Sequence, residues 1–356
     1  MKPPLVSVCM PHLNRRPFIE ERIETVLRQT CEDWELIIID SGSDDGSREI
    51  LERYVAQEPR IRLSQAPRDG IYTNLNRALE VCRGDFIYIA TSDDTMTPHC
   101  LERMVDAMQQ NPDCGICHCC LEIIDENGVP ASGDDAWENW PMQQFFGDWA
   151  YIAHVRQAPH DGLLHFYCGT VYTSLTQLLV RRRVFHQLGV FRTDCGSRAD
   201  FEWGMRVGLN ENVVHVPEKL ATWRRHAEQA TRPDDLRLAT ETGEFHRMVR
   251  MAIKSLRSRN PNLAKELRKS TLNYFFLVRE FSARQQSNGS ALEKLGAFAA
   301  FSVAHPVFSG KWLFTKLVLR RKMTGEFKDA LQNEFTRLGI PDLVRSLDHG
   351  HVGTGE

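Results

Sequence analysis

The sequence of 356 residues lacks several patterns that would assign it to a familiar class of protein. No Gly-x-Gly-x-x-Gly follows its first strand-like segment and no GxxxxGK[ST] occurs, which argues against a dinucleotide dehydrogenase and a P-loop enzyme. The start, MKPPLVSV, lacks the charged beginning and apolar stretch of a secretory signal, so we expect a cytoplasmic protein. A content of 42% hydrophobic and 26% charged residues is typical of a globular chain with a sizeable core in one or two domains.

The cysteines are the next feature that could assign a class. We interpret all ten as reduced thiols, because a chain without a secretory signal is expected in a reducing compartment. Four lie in CGICHCC, residues 114–120, which contains the CxxCH pattern of haem attachment and could be half of a zinc site. No second CxxC accompanies it, and free cysteine packs like a small hydrophobe. We therefore predict buried thiols in a short strand.

The net charge of −3 hides an uneven distribution. Residues 247–322 hold sixteen Lys or Arg against three Glu, an excess of thirteen positive charges. Within them, residues 291–322 mix apolar and basic side chains and are too short and interrupted to span a bilayer. Two interpretations stay open: a surface for an anionic membrane leaflet, and a helical cap that packs on the rest of the chain or on a second copy in a homo-oligomer. No base-reading motif accompanies the charge, so nucleic acid is not an expected partner.

Strand-like and helical segments alternate over the first hundred residues. The predicted strands are LVSVCMPHLN, WELIIID, IRLSQAP and DFIYIA, and the intervening segments space apolar residues such as Ile19, Ile23 and Val26 as a helical stripe. This alternation predicts an α/β fold with a mainly parallel central sheet. The chain becomes helical and basic near its end, so we divide it into residues 1–232, with halves 1–125 and 126–232, and a helical C-terminal extension, residues 233–356.

Carboxylates follow two of the predicted strands. Asp40 ends the second strand, Asp93 and Asp94 end the fourth, and Asp200 begins a later helix. Ligands of open α/β sheets bind at the carboxyl edge, so tandem acids there favour a metal or a polar ligand. Ser and Asp also favour simple turns, and for each acid alone a turn or a cap is an adequate explanation.

Five motifs occur together in one order. They are VSVCMPHLN, ELIIIDSGSDDGS, DGIYTNLNRALEVCRGDFIYIATSDD, RADFEWGMRVG and WRRH. The set resembles the family 2 glycosyltransferases over about residues 4–230, and it is specific where any single motif is weak. The resemblance implies the GT-A fold and a nucleotide-diphosphate sugar donor. It also implies a divalent cation, Mg²⁺ or Mn²⁺, held by carboxylate oxygen, because the departing diphosphate gathers negative charge.

The resemblance implies roles for individual residues. The implied donor-binding residues are Pro11, Asn14, Asp40, Gly70, Asn74 and Asp93. Asp94, at the position of the family's DxD motif, and His226 are the implied metal ligands. Ser41 stands where the family more often has a second Asp, which puts the ribose contact in doubt.

The resemblance makes Asp200 the base that takes the acceptor's proton, with inversion at the anomeric carbon. Ser197 to Asp200 also fit a capping box, and a carboxylate drawn to a helix amino end would have a lowered pKa and be a weaker base. Glu202 is the reserve candidate for the base. Arg224 and Arg225 have two open interpretations, as partners of the diphosphate or as solvated side chains.

The acceptor side is less regular. Residues 134–172 are rich in Trp, Phe, Tyr, Gly and His with little helical or strand period, which fits either a substrate-facing loop or aromatic residues packed over the sheet. The expected acceptor is a glycan or lipid-linked hydroxyl in cell-surface polysaccharide or glycolipid synthesis, met at the inner membrane face. Two rivals are a sugar-nucleotide-binding or scaffold protein that has lost turnover, and a nucleotidyltransferase, which would release pyrophosphate.

Overall fold

The computed structural model describes residues 2–133, 146–168, 170–227, 238–269, 335–338 and 344–347. Its strands are β1 (Val6–His12), β2 (Trp34–Asp40), β3 (Ile61–Gln65), β4 (Phe86–Ile89), β5 (Cys114–Ile124), β6 (His154–Arg156), β7 (Leu178–Arg181), β8 (Asn212–Arg224) and β9 (Val344–Ser346). Its helices are α1 (Arg16–Leu27), α2 (Ser47–Gln57), α3 (Ile71–Val81), α4 (Cys100–Gln110), α5 (His160–Cys168), α6 (Arg182–Leu188), α7 (Ala199–Gly208), α8 (Leu238–Leu256) and α9 (Pro261–Lys269). Short 3₁₀ turns lie at Gly147–Tyr151, Leu175–Gln177 and Thr193–Arg198.

The strands of the described residues form one sheet in the order β3-β2-β1-β4-β7-β5-β8-β6-β9. Strands β1 to β4 run parallel, as the alternating sequence predicts. β7 is antiparallel to both β4 and β5, and β8 is parallel to β5, while β6 and β9 add further antiparallel pairs. The second half of the sheet is therefore mixed, but β1, β2, β4, β5 and β8 all end at the same edge.

The first strands are buried on both faces, which explains their continuous apolar sequences. All seven residues of β1 and all seven of β2 are buried. Helix α4 presents the predicted stripe, with Leu101, Met104 and Met108 fully enclosed, and each such side chain contributes about 2 kcal/mol through burial. The cysteines of residues 114–120 are buried thiols in β5, in agreement with the prediction from CGICHCC.

Residues 146–168 are more ordered than their sequence pattern suggests. They form a 3₁₀ turn, β6 and α5, where neither helical nor strand periodicity is evident. A polar network replaces the apolar stripe: the Arg156 guanidinium donates hydrogen bonds of 2.6 and 2.9 Å to Asp161, and both side chains are fully buried. Such a pair orders its segment without leaving a periodic hydrophobic signal. Residues 134–145 of this region lie outside the described residues.

Two glycines bring α5 and α7 into close contact. A Cβ atom added to Gly208 would lie 2.5 Å from the backbone nitrogen of Gly162, so only glycine permits this approach. The contact places α7, which begins with Ala199 and Asp200, against α5.

The C-terminal extension adds to the same core. Helix α8 packs against α7 and buries Met248, Ala252 and Ile253, and β9 pairs with β6. Across the described ranges, no helix combines the length and the apolar character needed to cross a membrane. The basic segment 291–322 lies outside those ranges.

Candidate active site

The carboxyl edge of the sheet brings together side chains that are far apart in the sequence. β2 ends at Asp40, β4 leads into Asp93 and Asp94, and β8 leads into His226. These strands run in the same direction, so their ends meet at one edge, as expected for an α/β ligand site.

Asp93 and His226 form the centre of this edge. The His226 Nε2 atom lies 3.0 Å from Asp93 Oδ2, and Arg15 Nε donates a hydrogen bond of 3.4 Å to the same oxygen. Burial opposes ionisation of Asp93, but the hydrogen bond with His226 and the charge of Arg15 outweigh it and lower the pKa of this carboxyl. The Phe18 ring packs 5.0 Å from the His226 ring and fixes its position. Asp93 is therefore ionised and keeps part of its side chain at the surface.

Asp94 points the other way, into the protein. It is 1% exposed; its Oδ1 accepts a hydrogen bond of 2.7 Å from the Arg224 backbone, and its Oδ2 accepts from the hydroxyls of Thr91 and Ser174. Burial, followed by the charge of Asp93, raises the pKa of Asp94 to about 7. In this structure protein donors engage both oxygens of Asp94 away from solvent, and its expected metal-ligand role stays a prediction.

Arg224 holds the ends of β4 and β8 together. Its Nε donates to the Asp93 carbonyl oxygen at 2.7 Å, its Nη2 donates to Glu21 at 2.7 Å, and its guanidinium lies over the Phe18 ring. With 2% of its surface exposed, Arg224 is neither solvated nor available to a diphosphate, so both sequence interpretations of it are corrected. Arg225, by contrast, is exposed.

A clamp of polar side chains shapes the loop after β2. The Asp40 carboxylate accepts a hydrogen bond of 2.6 Å from the Ser43 hydroxyl, and Arg48 lies 3.7 Å away. Asn14 has a left-handed backbone with φ of 49°; its side-chain amide donates a hydrogen bond to the Asp44 carboxylate and its side-chain oxygen accepts one from the Asp44 backbone N–H. Pro11 is buried within β1. The turn expected of Asp40 is present, and these hydrogen bonds fix the shape of the loop that a ligand at this edge would contact.

Gly70 and Asn74 occupy different environments although both lie in the DGIYTNLN motif. Gly70 is exposed with φ of 104°, and a Cβ there would meet nothing within 4 Å. The Asn74 side chain is fully buried and donates to the Ser41 hydroxyl at 2.7 Å and to the Pro67 carbonyl oxygen at 3.2 Å. Gly70 is therefore open to a donor, whereas the Asn74 side chain supports the loop from inside the protein; the donor-binding role of both residues stays a prediction.

Asp200 lies on α7, next to the first turn of α3. Its Oδ1 accepts a hydrogen bond of 2.7 Å from the Phe201 backbone N–H, and the Tyr72 side chain lies near enough to influence the pKa of its carboxyl. The predicted capping box is not formed, since Arg198 is the N-cap residue and makes no side-chain cap bond. Burial raises the pKa of Asp200 despite the hydrogen bond from Phe201, so the anticipated lowering by the helix end does not prevail.

Glu202, the reserve base, is unsuitable. It is fully buried and bound by the Arg206 guanidinium through hydrogen bonds of 2.8 and 2.9 Å. Its oxygens stabilise helix α7 and cannot reach an acceptor.

Comparisons of the sequence with known proteins indicate which family and which relatives the chain resembles. Residues 7–170 match the family model described as Glycosyl transferase family 2. Chondroitin synthase of Escherichia coli is 32% identical over 139 residues, which are 39% of this chain and 20% of that protein. The chain spans 20 to 36% of the length of several curated bacterial relatives.

Solved structures share the family's fold. TarS of S. aureus, residues 1–349 in complex with UDP, superposes with a TM-score of 0.58 at 18% identity, covering 94% of this chain and 91% of that one. The mannosyltransferase PcManGT of Pyrobaculum calidifontis, in complex with GDP-Man and Mn²⁺, gives a TM-score of 0.50 at 17% identity, covering 94% and 87%. The predicted GT-A fold and the recognition of a family 2 glycosyltransferase are confirmed.

The family match ends before Asp200 and His226, so their placement comes from the tertiary structure. Sequence reasoning also missed Arg15 and Tyr72 as neighbours of the site. Both stand inside recognised motifs, beside Asn14 and Gly70, but nothing in their spacing indicates that they lie near Asp93 and Asp200.

Proposed function

We propose that this protein is a metal-dependent, inverting glycosyltransferase that moves a sugar from a nucleotide-diphosphate donor to a hydroxyl acceptor. The proposal rests on two carboxyl groups of the fold whose pKa values are shifted in opposite directions. Asp93, beside His226, has a lowered pKa, and Asp200, on helix α7, has a raised pKa. Carboxylates with opposite shifts suit the separate roles of anion and base.

The metal is assigned to Asp93 and His226, which replaces the pairing of Asp94 with His226. A carboxylate oxygen and an imidazole nitrogen are suitable ligands for Mn²⁺ and acceptable for Mg²⁺ when diphosphate and water complete the shell. No group of three His, Cys, Asp or Glu side chains that could hold an ion occurs within the described residues, which fits an ion bound together with the donor. When bound, the cation would neutralise the charge that develops on the departing diphosphate.

The donor would lie along the loop after β2. Asp40 and Asn14 shape this loop, and the open space at Gly70 would let the protein backbone come close to the nucleotide. In this proposal Asp40 recognises the base by exchanging its Ser43 hydrogen bond for one from the nucleotide.

Asp200 would remove the acceptor's proton as the hydroxyl oxygen attacks the anomeric carbon from the face opposite the diphosphate. A raised pKa makes a carboxylate a stronger base, because the proton it accepts is held more firmly. The attack from the opposite face inverts the configuration.

The substrate class is proposed to be a cell-surface polysaccharide or glycolipid. The support is the likeness to chondroitin synthase, whose name denotes synthesis of a polysaccharide. We also propose that the chain divides functionally at residue 232. The C-terminal extension would act as a cap on the catalytic part, because its helix α8 packs on α7. Binding to anionic lipid through residues 291–322, and self-association, are tested by vesicle sedimentation and by light scattering of the full chain.

The deciding experiment measures release of nucleoside diphosphate from UDP-, GDP- and dTDP-sugars, with and without Mg²⁺ or Mn²⁺ and with chelator as control. Metal-dependent release with at least one donor and a hydroxyl acceptor is expected. Tight donor binding with no release would indicate the binding or scaffold protein instead. Release of pyrophosphate would indicate nucleotidyl transfer.

A further inference from the structure

We propose that Arg247, on helix α8 of the C-terminal extension, is a positioning residue for the proposed base Asp200. Arg247 acts through Asp194, in the turn that leads into the helix of Asp200. The catalytic meaning of this inference rests on the proposed function, whereas the contacts that carry it are properties of the fold.

The turn before Asp200 contains a sharp bend. Residues Thr193–Arg198 form a 3₁₀ turn that runs directly into α7, whose second residue is Asp200. Within this turn Gly196 has φ of 57° and ψ of −136°, a backbone conformation that glycine adopts far more readily than other residues. The bend lies between Asp194 and α7, so the position at which α7 begins depends on how the first residues of the turn are held.

Asp194 is the residue at which these first residues are held. Its carboxylate accepts hydrogen bonds of 3.0 and 2.8 Å from the Arg192 guanidinium and one of 2.8 Å from Arg247 Nη1. Arg247 Nη2 also donates to the backbone carbonyl oxygen of Asp194. Arg247 therefore binds both the side chain and the main chain of one residue, which suits the planar, five-donor guanidinium better than a single ammonium group.

Helix α8, which carries Arg247, is fixed along α7. The two helices pack on each other, and just beyond the far end of α7 the Asn210 side chain donates a hydrogen bond of 3.1 Å to the Ser255 hydroxyl of α8. Arg259, which follows α8, donates a hydrogen bond of 3.2 Å to the Glu211 carboxylate. Arg247 therefore extends from a helix that is attached to both ends of the segment that carries Asp200.

A second set of contacts holds the same turn from helix α3. The Asn76 side chain on α3 donates to the Phe191 carbonyl oxygen at 2.8 Å and accepts from the Phe191 N–H at 3.1 Å. Phe191 precedes Arg192, whose guanidinium binds Asp194. Asp194 thus receives contacts from the α3 side and from α8, and loss of the Arg247 side chain would leave only the first.

The contact between Arg247 and Asp194 acts locally. The two side chains are 38% and 46% exposed, and solvent screens ion pairs of this kind, so they contribute little to the free energy of unfolding. Removal of Arg247 should therefore increase local opening of the turn without changing the stability of the whole protein.

The test compares Arg247→Ala with Arg250→Ala in the full chain. Arg250 is the matched control, because it is an exposed arginine on the same helix. Hydrogen–deuterium exchange of the peptide that covers residues 193–201 should be about fivefold faster in Arg247→Ala than in the wild type, and unchanged in Arg250→Ala. Arg247→Lys keeps the charge and should restore part of the protection. The urea midpoints of Arg247→Ala and the wild type should agree, and a lowered midpoint would indicate a global structural role and overturn the proposal.

The kinetic measurement uses the donor that the wild type turns over. Arg247→Ala should lower kcat by about threefold with the KM of the donor unchanged, because the base is displaced while the donor site is not. Unchanged exchange in Arg247→Ala, an equal change in both alanine variants, or faster exchange with an unchanged kcat would each overturn the proposal. A wild type without turnover would refute the proposed function and the base role, while the exchange measurement would still decide whether Arg247 holds the turn.

Discussion

The backbone N–H of Arg224 donates a hydrogen bond of 2.7 Å to Oδ1 of Asp94. This bond joins the end of β8 to the end of β4 and turns Asp94 into the buried support of the site. It leaves its neighbour Asp93 to face His226.

Alanine substitutions should separate the two acids. Asp94→Ala removes the acceptor of the Arg224 N–H and two hydroxyls, and is expected to lower the free energy of unfolding by about 2 kcal/mol, read from urea denaturation. Asp93→Ala should keep stability near that of the wild type but abolish the metal dependence of donor binding, read by calorimetry with and without Mn²⁺. The opposite pattern would return the metal to Asp94.

Replacement of Asp200, the proposed base, should reduce turnover without affecting donor binding. Asp200→Asn is expected to lower kcat by about 10²- to 10⁴-fold, because the amide cannot accept the acceptor's proton. The donor's dissociation constant should change little. Asp85→Asn, at an exposed carboxylate on the approach to β4, serves as the control for the same chemical change. Loss of donor affinity in Asp200→Asn would argue for a binding role instead.

The pH dependence of kcat should reflect the protonation of Asp200. Its pKa is raised, so kcat is expected to fall as the pH drops through a value above the ordinary 3.8 of aspartate, and Asp200→Asn should lack this limb. The pKa of Asp200 is higher in the folded than in the unfolded state. Ionised Asp200 therefore lowers the free energy of unfolding at pH values above its folded pKa, and this loss disappears as the pH falls. At neutral pH, Asp200→Asn should therefore melt no lower than the wild type, measured by calorimetry. A marked drop in Tm would show that the carboxylate is a structural cap.

The buried ion pair of β6 and α5 should matter more than surface pairs. Asp161→Asn leaves the Arg156 guanidinium with a weaker partner in a water-free site and is expected to cost about 3 kcal/mol of stability. Asp194→Asn weakens ion pairs with Arg192 and Arg247 that are partly exposed, and should cost less than about 1 kcal/mol. Equal urea midpoints for the two variants would contradict the role given to the buried network.

Much of the fold is readable from the sequence because strand and helix periods are local properties. The apolar runs of β1, β2 and β4 and the stripe of α4 follow from side chains that are close in the chain. Residues 146–168 were not readable in this way, since the Arg156–Asp161 network replaces the periodic pattern.

The candidate site shows the same difference between features that depend on local sequence and features that depend on distant contacts. Its residue types and their place at strand ends are visible in the sequence, which by itself determined the family 2 resemblance and the acids at positions 40, 93, 94 and 200. Only the tertiary structure decided which acid of the tandem faces outward and that Glu202 is bound by Arg206. The physical reason is that burial and hydrogen-bond partners depend on chain segments far apart in sequence, and these partners set the charge and the role of each carboxylate.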